Sequence, residues 1–407
     1  MTSAPVNVLA PQARVADRAV LFLMAAGHFS VDLCQAAVPA MLPFFVTERH
    51  LSYAAAGGLV FAQTVSSSVV QPFFGWLSDR RPLPVIMPLG VGLGAVCVGI
   101  AALLPTYPLI FLFIFVSGLG IAAYHPEGAR YTRHASGPNQ ASAMSVFSVG
   151  GNIGFAAGPI VLTPVLLLTG LRGAWLACLL PLGVALTLLL YLGRIASHRT
   201  RREAAGPAAA SVSRGRDDWS AFGRLTAVLF ARTVVFYGLN TFVPLYWIGV
   251  LHQSKGAGGL ALAVLLTAGP VGTVLGAWLA DRYSRRRVVI AGTLLSVPFL
   301  VALVLAGSPL LALVLLVPIA LAAWSPSSVI VVMGQEYLPS RIGTAAGMTL
   351  GLSFSLGGVL TPLLGAFADR QGLSSALLLV AAFPLVGGLL AFTLPPERSG
   401  TGTAVAS

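Results

Sequence analysis

Apolar residues run along this chain in long blocks, separated by short polar stretches. A helix needs about 20 mostly apolar residues to cross a hydrocarbon core about 30 Å thick. Twelve blocks meet that requirement, near 19–46, 54–77, 84–104, 107–132, 141–168, 172–193, 221–250, 258–280, 288–306, 309–336, 344–368 and 373–394. A backbone in lipid must satisfy its polar groups internally, as helices or as a closed barrel. The blocks lack the short alternating segments of a barrel. The pattern therefore predicts an all-α polytopic membrane protein with twelve transmembrane helices.

The blocks also repeat. The second ends in GWLSDRR (75–81) and the eighth in GAWLADRYSRRR (276–287). AAYHP (122–126) is echoed by AAWSP (322–326), and SAMSVFSVGGNIGFAAGP (142–159) by AAGMTLGLSFSLGGVLTP (345–362). Three echoes in one order, at offsets of 200 to 204, argue for duplication. The expected organisation is an N-terminal six-helix bundle (1–193), a polar cytoplasmic linker (194–220), and a C-terminal six-helix bundle with a short cytoplasmic tail (221–407). Parallel repeats of six spans with a site at the midplane between them are a transporter plan.

Composition sharpens this picture. Hydrophobic residues make up 57% and charged residues only 9%, against about 25% charged in soluble domains. The net charge of +12 alone could suggest a polyanionic partner. However, with a cytoplasmic N-terminus, 19 of the 24 basic residues fall on the cytoplasmic side. That asymmetry is the positive-inside pattern, so both termini are expected in the cytoplasm and no nucleic acid partner is implied. Cys34, Cys97 and Cys178 lie in apolar blocks without a CxxC pair and read as buried small hydrophobes. The first block carries His28 and Asp32 and is too long for a signal-peptide core. No Walker loop, HExxH or dinucleotide fingerprint is found. No enzyme activity, metal or cofactor is expected, and the driving force is expected to be a proton gradient.

Ionisable side chains inside spans mark ion or substrate paths. His28, Asp32 and Gln35 form one stripe of the first helix, whose outer half Pro39 and Pro43 should kink. The alternative is a structural polar cluster at a helix contact. His125, Pro126, Glu127 and Arg130 crowd two turns of the fourth helix. The expected proton-coupling groups are His28, Asp32, His125 and Glu127, because histidine titrates near neutral pH and a buried carboxyl can be tuned towards it. The second half has Ser325 and Ser327 at the echoed positions, so proton chemistry is expected in the first half. Arg232, Phe236 and Asn240 share a face of the seventh helix and join Gln35 and Asn152 as expected substrate-binding residues. A buried Arg232 needs an anion, either Asp32 or Glu127 or an acidic group on the substrate.

Glycines at 150, 154 and 158 leave one face of the fifth helix bare, followed by Pro159, which loosens it. Asp79 with Arg80 and Asp281 with Arg282 sit at matching loop positions, where a carboxylate can face a helix N-terminus or an arginine such as Arg130. Glu336 and Arg341 are expected to act similarly in the second half. These ten residues (Asp79, Arg80, Arg130, Gly154, Gly158, Pro159, Asp281, Arg282, Glu336 and Arg341) are the expected gating set.

Two six-helix halves with G-x-L-x-D-R-like loops after helices two and eight resemble the major facilitator superfamily across essentially the whole chain. GHFSVDLCQ (27–35), YHPEGAR (124–130), FSVGGNIGFAAGP (147–159) and QEYLPSRIGTAAG (335–347) more narrowly resemble bacterial fosmidomycin-resistance proteins. The first loop departs from the superfamily by continuing DRRPLP, and the second has Ser284 where glycine is common. The fifth helix lacks a glycine pair expected after Pro159. The resemblance implies the major facilitator fold, alternating access, and proton-driven export of a small molecule, an antibiotic or an anion among the candidates. The competing expectations are a proton-coupled importer and a non-transporting sensor. The protein is expected in the bacterial cytoplasmic membrane, as a monomer, with its substrate, protons and the bilayer as partners.

Overall fold

The computed structural model describes residues 16–80, 83–137, 139–203, 216–341, 344–345, 348–349 and 357–396, apart from the side chains of residues 79, 141 and 199–203. Among these residues eleven helices are long and apolar enough to cross a membrane. The expected span at 344–368 is described at 344–345, 348–349 and 357–368, and its remainder lies outside the described residues, as does part of the 335–347 motif.

In chain order the first half contains α1 (Arg18–Glu48), α2 (Tyr53–Val69), α3 (Gln71–Arg80), α4 (Ile86–Leu103), α5 (Tyr107–Ala135), α6 (Gln140–Thr169) and α7 (Ala174–Leu190). A further helix, α8 (Leu192–Glu203), occupies the start of the segment read from composition as a plain polar connection. The second half contains α9 (Trp219–Gly249), α10 (Lys255–Arg282), α11 (Arg285–Leu305), α12 (Pro309–Trp324), α13 (Ser327–Tyr337), α14 (Thr361–Gln371) and α15 (Leu373–Ala391). The second span is α2 and α3 in series and the tenth is α12 and α13, joined through Ser325 and Pro326. A proline there removes a backbone donor, which is why the tenth span breaks at that point.

Polar caps start these helices. Asp17, Ser52, Asp218, Ser254 and Ser284 each accept a hydrogen bond from a backbone N–H in the first turn of α1, α2, α9, α10 and α11, which satisfies donors a helix start leaves open. The glycine ladder of α6 lies against α1. A Cβ on Gly150 would meet the Ala25 carbonyl, and one on Gly154 the Phe29 carbonyl. Lipid supplies no hydrophobic force between helices, so such close backbone packing carries the association. The three cysteines are free and buried. Leu168, Leu190 and Leu305 are each more than 70% exposed, as expected of side chains facing acyl chains.

The halves meet at the end that carries Glu48 and Tyr53. There α2 packs along α14, and α6 against α10. Asp17 and Phe392 mark the opposite end, where the described chain begins and finishes.

Candidate functional site

A cavity of about 470 Å³ lies between the halves, a volume typical of small-molecule sites. The first half contributes His28, Asp32 and Gln35 from α1, Ser67, Ser68 and Gln71 around the α2–α3 break, His125 from α5, and Asn152 and Phe155 from α6. The second half contributes Arg232, Phe236 and Tyr237 from α9, Pro270 and Thr273 from α10, Trp324 from α12 and Ser327 from α13.

The first-half wall is built around Asp32. His28 Nε2 lies 3.3 Å from Asp32 Oδ2, and His125 Nε2 lies 3.4 Å from Asp32 Oδ1. His28 Nδ1 is 2.8 Å from the Phe147 carbonyl, and His125 Nδ1 is 2.9 Å from the Ile121 carbonyl. A carbonyl only accepts, so each Nδ1 carries the proton. In a neutral ring the Nε2 lone pair then faces the carboxylate. Three acceptors converging in this way repel one another, and one added proton on either Nε2 turns its contact into a hydrogen bond to the carboxylate. The His28 ring also stacks on Phe147 at 4.1 Å and meets His125 edge-on at 5.0 Å, which fixes both orientations. The ligand atoms of the three residues lie within 4.8 Å of one another, so the same set could hold a metal ion. Gly151 is what lets α6 approach, since a Cβ there would sit 2.5 Å from His28 Nε2 and 2.6 Å from Asp32 Oδ2.

The second-half wall is cationic and aromatic. Arg232 is 6% exposed, and its Nη1 donates to Ser327 Oγ at 3.0 Å. Phe236 contacts Tyr237, Trp324 and, across the cavity, Phe155, with ring centroids 5.0, 5.3 and 5.8 Å away.

Two residues expected here lie elsewhere. Glu127 is buried outside the lining, and neither carboxyl oxygen has a hydrogen-bond partner among the described residues. It lies two residues from His125, so the helix turns it about 200° away. Asn240 is also buried outside the lining, with its amide donating to the Phe236 carbonyl at 2.7 Å. Eight residues on a helix drift by about 80°, enough to carry it off the Arg232 face. Of the carboxylates considered for Arg232, Asp32 is engaged by two histidines, and Arg232 itself donates to Ser327.

The gating candidates fall outside the cavity. The Asp79 side chain lies outside the described residues. Arg130 donates to the carbonyl of Ser78, the residue before Asp79, and Arg80 stacks over Trp76 at 4.4 Å. Gly154 and Gly158 line the α1–α6 contact, Pro159 beside them is buried, Asp281 is exposed, and Arg282 lies 6.0 Å over Trp278. Glu336 pairs with Arg285, and Arg341 lies 3.4 Å from Asp217. The lining residues that sequence reasoning missed are mainly Tyr237, Trp324 and Ser327. Trp324 belongs to the AAWSP echo and Ser327 follows it directly, which was a usable signal, whereas Tyr237 carried none.

The chain matches the family model described as Major Facilitator Superfamily over residues 24–349 and 249–407. It is 34% identical over 93% of both chains to the uncharacterized MFS-type transporter YfnC of Bacillus subtilis. It is 29% identical, again over 93% of both, to the fosmidomycin resistance protein of Escherichia coli. Its fold is similar to that of a bacterial homologue of the human lysosomal transporter Spinster in an inward-facing, occupied conformation. That match has a TM-score of 0.76 and 15% identity, covering 95% of this chain and 97% of that one. The peptide transporter POT in complex with alafosfalin matches with a TM-score of 0.73 at 13% identity, covering 92% and 93%.

Proposed function

The chain belongs to the major facilitator superfamily, a multi-pass secondary transporter and not an enzyme, and on that premise we propose that it exports a small anionic molecule in exchange for protons. The observation that carries this reading is the pairing of walls around one cavity, the Asp32–His28–His125 cluster on one side and Arg232 among aromatic rings on the other. A guanidinium matches carboxylate, phosphate or phosphonate oxygens bidentately, and the rings accommodate an apolar body. Similarity to a fosmidomycin resistance protein supports export.

Antiport requires that proton and substrate exclude each other. That follows if N–H or O–H groups of the substrate take the Nε2 and carboxylate positions that protons otherwise occupy. The same geometry favours a second reading. A proton added to the cluster makes the cavity more positive, which strengthens an anion at Arg232, so proton and anion can also move together inward. Everted vesicles separate the two: export by antiport appears there as proton-driven accumulation, and symport as proton-driven loss.

Asp32→Asn should abolish pH-gradient-driven transport in either case while the protein stays in the membrane. Arg232→Gln should weaken substrate affinity by more than about tenfold, the loss of one charge-assisted contact. Affinity recovered in the double variant would mean that Arg232 only neutralises Asp32, and would overturn the anion site.

A further inference from the structure

A second hollow, of about 500 Å³, opens on the outer surface of the second half, away from the transport cavity. Its walls come from α10, α11 and α12, and its lining is almost wholly apolar, with Leu279, Leu295, Phe299 and Pro318 among the side chains. Polar groups gather at one rim, where Arg287 and Tyr283 stand at the start of α11. Tyr283 is 61% exposed, and Arg287 is exposed as well.

The dimensions fit one membrane leaflet. Arg287 and Phe299 are twelve residues apart on one helix, a rise of about 18 Å, and half of a hydrocarbon core is about 15 Å. The hollow therefore runs from headgroup depth to near the bilayer midplane.

The charges at the rim do not cancel. Arg285 is paired with Glu336, Arg286 donates to the Phe392 carbonyl, and Arg282 lies over Trp278. For Arg287 the described bond is its backbone N–H to Ser284 Oγ, which leaves the exposed guanidinium facing outward. Asp281 is exposed at the end of α10 and Glu336 is taken by Arg285, while Arg282, Arg285, Arg286 and Arg287 crowd the same junction. The N-terminus of α11 adds partial positive charge at the same point. Arginine grips phosphate oxygens in a fork, and tyrosine sits readily at headgroup level.

We propose that this groove binds one acyl chain of an anionic phospholipid, with Arg287 holding the phosphate. The site is independent of which substrate the central cavity takes. It is nevertheless mechanically tied to that cavity through the break in the tenth span. Ser325 forms part of the groove floor, while Trp324 and Ser327, on either side of the break, line the central cavity. Gly276 and Gly292 clasp Ser325 so closely that a Cβ on either would collide with it. A chain filling the groove therefore bears on the hinge that sets Ser327, the partner of Arg232.

The test uses the purified full chain in micelles carrying traces of lipid, read by native mass spectrometry. The probes are palmitoyl-oleoyl phosphatidylglycerol and the matching phosphatidylcholine. Wild type should retain one phosphatidylglycerol with about tenfold preference over phosphatidylcholine, about 1.4 kcal/mol. Arg287→Gln should lose the preference. Leu295→Trp, which fills the groove but keeps the arginine, should lose retention of both lipids, whereas Arg49→Gln at the opposite end should behave as wild type. Equal retention of the two lipids by wild type would overturn the proposal, as would an unchanged preference in Arg287→Gln. Displacement of the lipid by glycerol phosphate alone would also overturn it, by showing an anion site without a chain. A dimer that Leu295→Trp converts to monomer would assign the groove to a second copy of the chain instead.

Discussion

The two ends of the molecule are built from the same kinds of bond, but the bonds join different partners. At the end carrying Glu48 and Tyr53 they cross between halves. Asp369 of α14 accepts from the backbone N–H groups of Tyr53 and Ala54 at 2.8 and 2.9 Å, capping α2. Thr361 donates to the Gly57 carbonyl at 2.8 Å, and Lys255 meets Glu48 at 2.8 Å. Among the described residues at the opposite end, the ties of Asp17, Asp217 and Asp218 stay inside one half. Asp17 caps α1, takes its N–H to the Ala135 carbonyl, and pairs with Arg194 and His198. In the second half Asp218 caps α9 and takes its N–H to the Tyr337 carbonyl, while Asp217 holds Ser340 and Arg341. One end is a clamp between halves and the other is two separately braced rims. A transporter needs that difference, because a cavity must be shut on one side while the other stays free to open.

The largest effect should come from wedging the clamp apart. Gly365 lies so close to α2 that a Cβ would collide with the Tyr53 carbonyl, and neither partner is a side chain that can swing away. Gly365→Leu should exclude the clamped arrangement. A bias of about 3 kcal/mol, the upper range for overpacking, shifts the population by about 150-fold, and transport should fall by at least about tenfold. Gly223→Leu is the matched control, since nothing lies within 4 Å of a Cβ there, and it should transport normally. Spin-label distances between positions 50 and 371 should lengthen only in the first variant. A Gly365→Leu protein with wild-type rate and distances would show that the clamp is not needed.

How far all this could be read from the sequence depends on the kind of feature. Apolar block length and the 200-residue offset carry the fold, because bilayer thickness imposes them on the whole chain. The offset even reaches detail, since Asp17 and Asp218 brace their helices in the same way. His28 and Asp32 were legible as a cluster because they share one helical stripe. Grouping Glu127 with them failed because closeness in sequence ignores the turn of the helix, and Asn240 failed through the smaller drift over two turns. Asp369 drew no attention at all. It stands in AFADRQ, which reads like any loop end, and its partners are backbone groups 316 and 315 residues away that leave no trace in side-chain pattern.

Removing the charge while keeping the contact is a gentler break of the same clamp. Asp369→Asn retains shape but replaces one of the two accepting oxygens by an NH2 that cannot accept, a change of about 0.5–2 kcal/mol. The clamped population should fall by about two- to thirtyfold, with the 50–371 distance broadened and transport altered less than in Gly365→Leu. The Lys255–Glu48 pair lies at the surface and adds less, since such pairs contribute about 0–1 kcal/mol. Should Asp369→Asn leave the distance distribution unchanged, the backbone contacts of Gly57 and Gly365 would be carrying the clamp alone.

The smallest effect is expected at the opposite end, and its character should differ. Burial pushes the Asp17 carboxyl up, but hydrogen bonds from Arg194, His198 and the Val20 N–H outweigh it and hold the group down at about 2, from an ordinary value of 3.8. A carboxyl depressed in the folded state contributes stability that is fully present above the unfolded value and is lost as pH falls through the folded one. The contribution should therefore be complete at neutral pH and fade between about pH 4 and pH 2. Asp17→Asn should lower the melting temperature at pH 7 by only about 1–3 °C, as for a modest cap loss in a chain of this size. The gap between wild type and variant should close on acidification. Because Asp17 braces one half internally, the 50–371 distance should not move. A shift in that distance at pH 7 would show that the two ends communicate through α1, and the contrast between a clamp and a free rim would have to be redrawn as a single lever.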